Sequence, residues 1–277
     1  MPFVRLRRSG AALFVTIGLN LVLPVPVAAQ GDLLIAPTRL VLDGRRGGEV
    51  ILSNVGAEEA TYRVSLELRR MTPEGSLEPV DSAEANIAEA AALEMIRYAP
   101  RRVVLPPGEP QAIRISARPG ADLPDGEYRV HMSFAAIPKV QPIAQSEDAP
   151  ADGFVVKITP IYGITMPIIV RKGQLEVVAG LANPRIEQTE GSYAFAIDIS
   201  RSGDASLYGD LLVYGSGSEP VFVARGLGVY PEIGSRHTTL PISADQAAAM
   251  HGQIRVEFRE PVAEGGVLIA SLNAVLR

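Results

Sequence analysis

The chain has 277 residues, 47% of them hydrophobic and 21% charged, a composition that builds one large or two ordinary domains and excludes a disordered chain. Cysteine is absent, which excludes disulfides, thiolate metal sites and thiol catalysis. The 26 basic against 31 acidic residues leave a formal charge of −5, which argues against a nucleic-acid binder. With 26 glycines and 22 prolines, turn residues are dense enough to favour many short strands over long helices.

The first 29 residues differ in kind from the rest. Arg5, Arg7 and Arg8 form a positive start, Gly10 to Val27 is apolar, and Val27-Ala28-Ala29 offers the small residues that a signal peptidase requires. Residues 1–29 are therefore expected to be a cleaved signal peptide, with export of the chain. Pro24 and Pro26 interrupt the apolar run and argue against a permanent anchor.

Residues 33–42 read as a first strand and 48–55 as a second. In a third, at 60–70, Tyr62, Val64, Leu66 and Leu68 alternate with Arg63, Ser65, Glu67 and Arg69. The period changes at 82–97, where Ile87, Ala91 and Met95 lie four apart in a stretch rich in Ala and Glu; this predicts a helix. Strands resume at 102–105 and 112–117 around the turn P-P-G-E-P-Q. Tyr128, Val130, Met132 and Phe134 then alternate with Arg129, His131, Ser133 and Ala135, which puts His131 on a solvated face.

Residues 138–153 have no periodicity and are expected to form a long loop. An apolar run, 154–171, follows, and its Pro160 and Pro167 suit an edge strand. Lys172-Gly173 reads as a hinge. Beyond it, seven short strands are predicted at 174–181, 193–200, 208–214, 220–226, 236–241, 253–259 and 266–276, with a helical turn at 244–250. The architecture expected is all-β, with two sandwich domains in tandem, 30–171 and 172–277, and one short helical excursion in the first.

Motifs of catalysis are missing from the sequence. His131, His237 and His251 are isolated, with no H-E-x-x-H or i,i+4 histidine pair. No G-x-S-x-G precedes a helix, and G-S-G-S at 215–218 reads as a turn. No phosphate-binding glycine motif occurs between a strand and a helix. The expectation is a protein that is not an enzyme and uses no metal or other cofactor.

One residue asks for a partner. Arg39 opens the strand in T-R-L-V-L-D-G (38–44), and its guanidinium cannot lose its charge, so it must meet an anion, water or the surface. This stretch, I-L-S-N-V-G (51–56), Y-A-P-R-R-V-V-L-P-P-G-E-P-Q-A-I-R-I (98–115), L-P-D-G-E-Y-R-V-H-M-S-F-A-A-I-P (123–138) and I-I-V-R (168–171) resemble, in order and spacing, the PapD-like periplasmic chaperones of the chaperone–usher pilus pathway. The helical excursion and the wording R-Y-A-P-R-R are more similar to a divergent branch of that family.

The resemblance implies two immunoglobulin-like sandwiches with a cleft between them, a periplasmic location, and pilin-like subunits and an outer-membrane usher as partners. It implies donor-strand complementation, in which the chaperone lends an edge strand to an incomplete subunit. Phe154, Val156 and Ile158 have the alternation a donor strand needs, and burying three such side chains is worth roughly 4–9 kcal/mol before ordering costs. Arg39 matches the family arginine that binds the subunit's C-terminal carboxylate. Thr165 stands where the family has a lysine as second ligand, and Lys157, Arg171 and Lys172 are the neighbouring cations. Self-association through edge strands stays open, as does the alternative of a secreted structural or adhesive two-domain protein.

Overall fold

In the computed structural model of the chain, residues 33–138 and 161–276 are described. The first predicted strand divides into β1 (Leu33–Ala36) and β2 (Leu40–Leu42). Pro37 has no N–H to give a ladder, and across Pro37-Thr38-Arg39 the chain passes from one sheet to the other. β3 (Gly48–Asn54) and β4 (Ala60–Met71) lie where the alternation predicts them. β4 then turns into β5 (Leu77–Val80), a short strand whose Leu-Glu-Pro-Val carries too little pattern to be read.

The helix is real but shorter than predicted. α1 (Ile87–Met95) starts at Asn86, whose side chain accepts from Glu89 N–H while the Glu89 carboxylate accepts from Asn86 N–H; residues 82–84 are a separate 3-10 turn. Of the three residues spaced four apart, Met95 is buried, Ala91 is partly buried and Ile87 lies in solvent. Its last predicted residues belong instead to β6 (Ile96–Ala99). β7 (Arg102–Leu105), β8 (Pro110–Ala117), β9 (Gly126–Ile137) and β10 (Gly163–Lys172) complete the first half. Residues 139–153 of the predicted loop lie outside the described residues, as do Phe154, Val156 and Ile158.

These strands form two sheets, β1-β3-β8-β6 and β2-β10-β9-β4, with β5 and β7 both on the far edge of β4. Between them lie Val50, Leu52, Tyr62, Val64, Ile113, Ile115, Val130, Met132, Phe134, Met166, Ile168 and Val170, the inward positions of the alternating strands. Asn54 closes one end. Its side chain is buried, donates to the carbonyls of Glu58 (2.6 Å) and Leu105 (2.9 Å) and accepts from Gly56 N–H (2.9 Å). Asn54→Ala leaves these groups without partners and is expected to cost about 2 kcal/mol, read as a lower urea midpoint at unchanged m-value.

Seven strands follow the hinge, as predicted: β11 (Val177–Thr189), β12 (Ser192–Gly203), β13 (Leu207–Tyr214), β14 (Pro220–Val229), β15 (Ser235–Ile242), β16 (Gly252–Arg259) and β17 (Leu268–Leu276). α2 (Ala244–Ala249) is the expected helical turn. The sheets β11-β12-β15 and β14-β13-β16-β17 enclose Phe195, Ile197, Ile199, Leu211, Val213, Val229, Val256 and Phe258. The protein is all-β, two sandwiches in series.

β10 corrects one expectation. It is an edge strand for only part of its length: β9 pairs with it from Gly163 to Lys172, but β2 covers its other side at Ile168–Val170. Pro167, with no N–H to give, stands at the first position that β2 does not cover. From Gly163 to Pro167 no described strand lies on that side.

Candidate functional site

A small third core, Met71, Ile169 and Tyr230, joins the two sandwiches. It explains why the run Met166 to Val170 is apolar at successive positions. Ile168 and Val170 face the first core, while Ile169 faces outward and is covered by the second sandwich. Around this joint the outer face of the first sandwich meets residues of the second one by one. His237 N–H, on β15, also donates to the Pro73 carbonyl in the turn after β4, at 2.6 Å.

Two arginines of the outer face share one arrangement. The Arg129 guanidinium lies 3.7 Å from the Tyr230 ring and holds Glu232 at 2.5 and 3.1 Å. The Arg39 guanidinium lies 4.0 Å from the Tyr208 ring, and its Nη2 donates to both oxygens of Glu264 at 2.8 and 3.0 Å. In each set the ring supplies its electron-rich face and the carboxylate supplies the counter-charge. Arg39 thus meets an anion, and that anion belongs to its own chain.

The cross-strand registers place these residues. β2 pairs with β10 in parallel, Leu40 opposite Ile168, so Arg39 continues the ladder beside Pro167. Pro167 is opposite His131, and His131 is opposite Glu67. One row across the outer face therefore reads Arg39, Pro167, His131, Glu67. The next row, about 7 Å along the strands, is Thr165, Ser133 and Ser65, three hydroxyls side by side. Thr165 is half-buried and stands on the same face as Arg39, on the part of β10 that β2 does not cover.

The other cations are turned to different partners. Arg171 pairs with Glu127 at 3.1 Å, and that carboxylate also accepts from Ser206 N–H (3.0 Å) and Oγ (2.9 Å) across the joint. Lys172 donates to the carbonyls of Gly120 (3.2 Å), Ala121 (2.9 Å) and Leu123. At the hinge, Gly173 has φ +81°, and a Cβ there would come within 2.2 Å of the Asp125 carboxylate. Lys157 lies outside the described residues.

His131 is not solvated. It is 1% exposed, its ring meets Tyr230 edge to face at 6.3 Å, and neither ring nitrogen has a partner among the described residues. Burial first, then the positive charges of Arg129 and Arg69, lower its pKa to about 3, so the imidazole is neutral. The alternation correctly placed it on the face away from the first core. What alternation within one strand cannot register is that a second sandwich covers that face.

Among the described residues no group of acids and histidines could hold a metal ion, and no helix is long and apolar enough to cross a membrane. What the joint offers is an arginine held between a ring and a carboxylate of the second sandwich, a row of hydroxyls, and a strand edge that no described strand covers.

No family model matches the sequence, and no curated protein matches it. Among solved structures, the chain is similar to the CupB2 chaperone of Pseudomonas aeruginosa, at 12% identity over 88% of this chain and 100% of that one, with a TM-score of 0.43. It is similar to a chain of the CsuC–CsuE chaperone–tip adhesion subunit pre-assembly complex from archaic chaperone–usher Csu pili of Acinetobacter baumannii, at 13% identity over 88% and 99% of the two chains, with a TM-score of 0.44. A third is a chain of the Salmonella enterica SafA pilin in complex with the SafB chaperone, at 17% identity, 88% and 96% coverage and a TM-score of 0.42.

Proposed function

We propose that the protein is a periplasmic chaperone that caps pilin-like subunits by strand donation and passes them to an outer-membrane usher. The observation that carries this reading is the half-covered strand β10. Its edge is free of described strands from Gly163 to Pro167, and Arg39 stands where that edge ends. An open edge offers backbone donors and acceptors to another chain, and a cation at its end fixes where that chain stops.

Upstream of β10 in the sequence stand Phe154, Val156 and Ile158, whose alternation suits the pockets of an incomplete sandwich. In this reading Arg39 receives the subunit's terminal carboxylate and Thr165 donates a hydroxyl to it. The work is mechanical and electrostatic, with no reaction catalysed and no cofactor used. The signal-like N-terminus agrees with export to the periplasm.

Co-expression with the pilin-like protein encoded beside its gene should give a 1:1 complex. Val156→Asp with Ile158→Asp should abolish recovery of the subunit, because each charge would enter an apolar pocket without a partner. Arg39→Ala should lower recovery. Full recovery with both variants would refute strand donation and the anchor together.

A further inference from the structure

The two arginine sets differ in how firmly they are closed. Glu232 is held by Arg129 through two nitrogens and also accepts from Met71 N–H at 2.7 Å. Glu264 meets a single nitrogen of Arg39, Nη2, and its side chain is 49% exposed against 11% for Arg39. Both carboxylate oxygens on one nitrogen make a three-centre contact, which leaves the two-nitrogen fork of the guanidinium unused by Glu264; a carboxylate that took the fork in parallel would be bound more strongly.

The segment carrying Glu264 is built to let go. It is one 3-10 turn, Val262–Glu264, in the connection between β16 and β17, and it ends in Gly265 and Gly266 at φ +118° and +67°, conformations that only glycine adopts freely. Val262 and Val267 on either side are largely in solvent. The base of the connection is fixed separately, by Glu260 N–H on the Val267 carbonyl and by Arg259 on the Gly266 carbonyl. Glu264 can leave Arg39 without unpacking either sandwich.

We propose that Glu264 is a resident carboxylate that occupies Arg39 in the free protein and must be displaced by the carboxylate of the captured chain. The proposal rests on the reading of Arg39 as the subunit's anchor. Its consequence is selective. A ligand must bring its own carboxylate to open the pair and gains the rest of its hold from strand contacts, so Arg39 does not collect stray anions.

The test uses the full chain, with the side-chain N–H signals of Arg39 followed by NMR while N-acetyl-valyl-leucine or its C-terminal amide is added. Glu264→Gln should bind the carboxylate form about fivefold more tightly than the wild type, the gain expected when a modest internal ion pair no longer competes. The amide should bind both proteins equally weakly, and Arg39→Ala should abolish the preference for the carboxylate. Equal affinity of wild type and Glu264→Gln for the carboxylate, with preference over the amide kept in both, would overturn self-occupation and leave the anchor standing. No preference for carboxylate over amide in either protein would overturn the anchor and the self-occupation with it.

Discussion

Acid should loosen the protein where the two sandwiches meet, and His131→Leu should remove much of that sensitivity. His131 has a folded pKa of about 3 against an ordinary value of 6.5. Above about pH 6.5 the imidazole is neutral folded and unfolded, and it adds no pH dependence. As pH falls below that value the unfolded chain takes up a proton that the buried ring refuses, so stability drops by up to about 1.4 kcal/mol per pH unit until the folded pKa is reached. The upper bound is about 4–5 kcal/mol, and opening of the joint to water should bring the realised loss to about 2–3 kcal/mol. Around the ring lie Arg129 and Arg69 on its own sheet, Glu67 opposite it, and from the second sandwich the uncharged Tyr230 ring, with Glu232 paired to Arg129. At pH 7 His131→Leu should be neutral or slightly stabilising, since it removes two nitrogens that have no partner among the described residues. Urea unfolding of both proteins at pH 7, 5 and 4 decides the matter. Parallel losses in wild type and variant would show that the ring is not the acid-sensitive group.

How much of this was legible beforehand follows from what alternation can encode. Tyr62, Val64, Val130, Met132 and Phe134 announce a core because each faces the interior of its own sandwich, and the seven strands after Gly173 are delimited by turn residues in the same way. The joint is different in kind. Ile169 and His131 occupy outward positions of ordinary strands, and their burial comes from Tyr230, some sixty to a hundred residues further along the sequence. No local period carries that information. A partial signal existed at Ile169, where the unbroken run Ile168-Ile169-Val170 marks a strand buried on both faces. At His131 there was none. Arg39 was legible as a charge needing an anion, but the identity of that anion, Glu264, depends on how two separate sheets come together. β5 escaped for a simpler reason, since four residues with one proline carry less pattern than a turn.

Glu232 should prove the costliest single charge to remove. Its carboxylate joins Arg129 to the backbone N–H of Met71, so one side chain of the second sandwich satisfies three donor nitrogens of the first. Arg129 is only 10% exposed, lies against Tyr230, and gives its remaining Nη2 proton to the Arg69 carbonyl at 3.0 Å. Glu232→Ala would strand a guanidinium that cannot neutralise itself. Removing one partner of a fully buried pair costs about 3–5 kcal/mol; because a quarter of the Glu232 side chain reaches solvent, about 2–4 kcal/mol is expected here. Replacing both partners, Arg129→Met with Glu232→Leu, should recover most of that loss, since neither charge then lacks its partner. Glu264→Gln supplies the contrast. The same kind of contact, made at the rim with a half-exposed carboxylate, should cost no more than about 1 kcal/mol in the same unfolding assay. A large loss on Glu264→Gln would make Arg39 a second structural rivet like Arg129. A small one leaves its guanidinium available to a carboxylate from outside that displaces Glu264, with Arg129 and Glu232 holding the two sandwiches together.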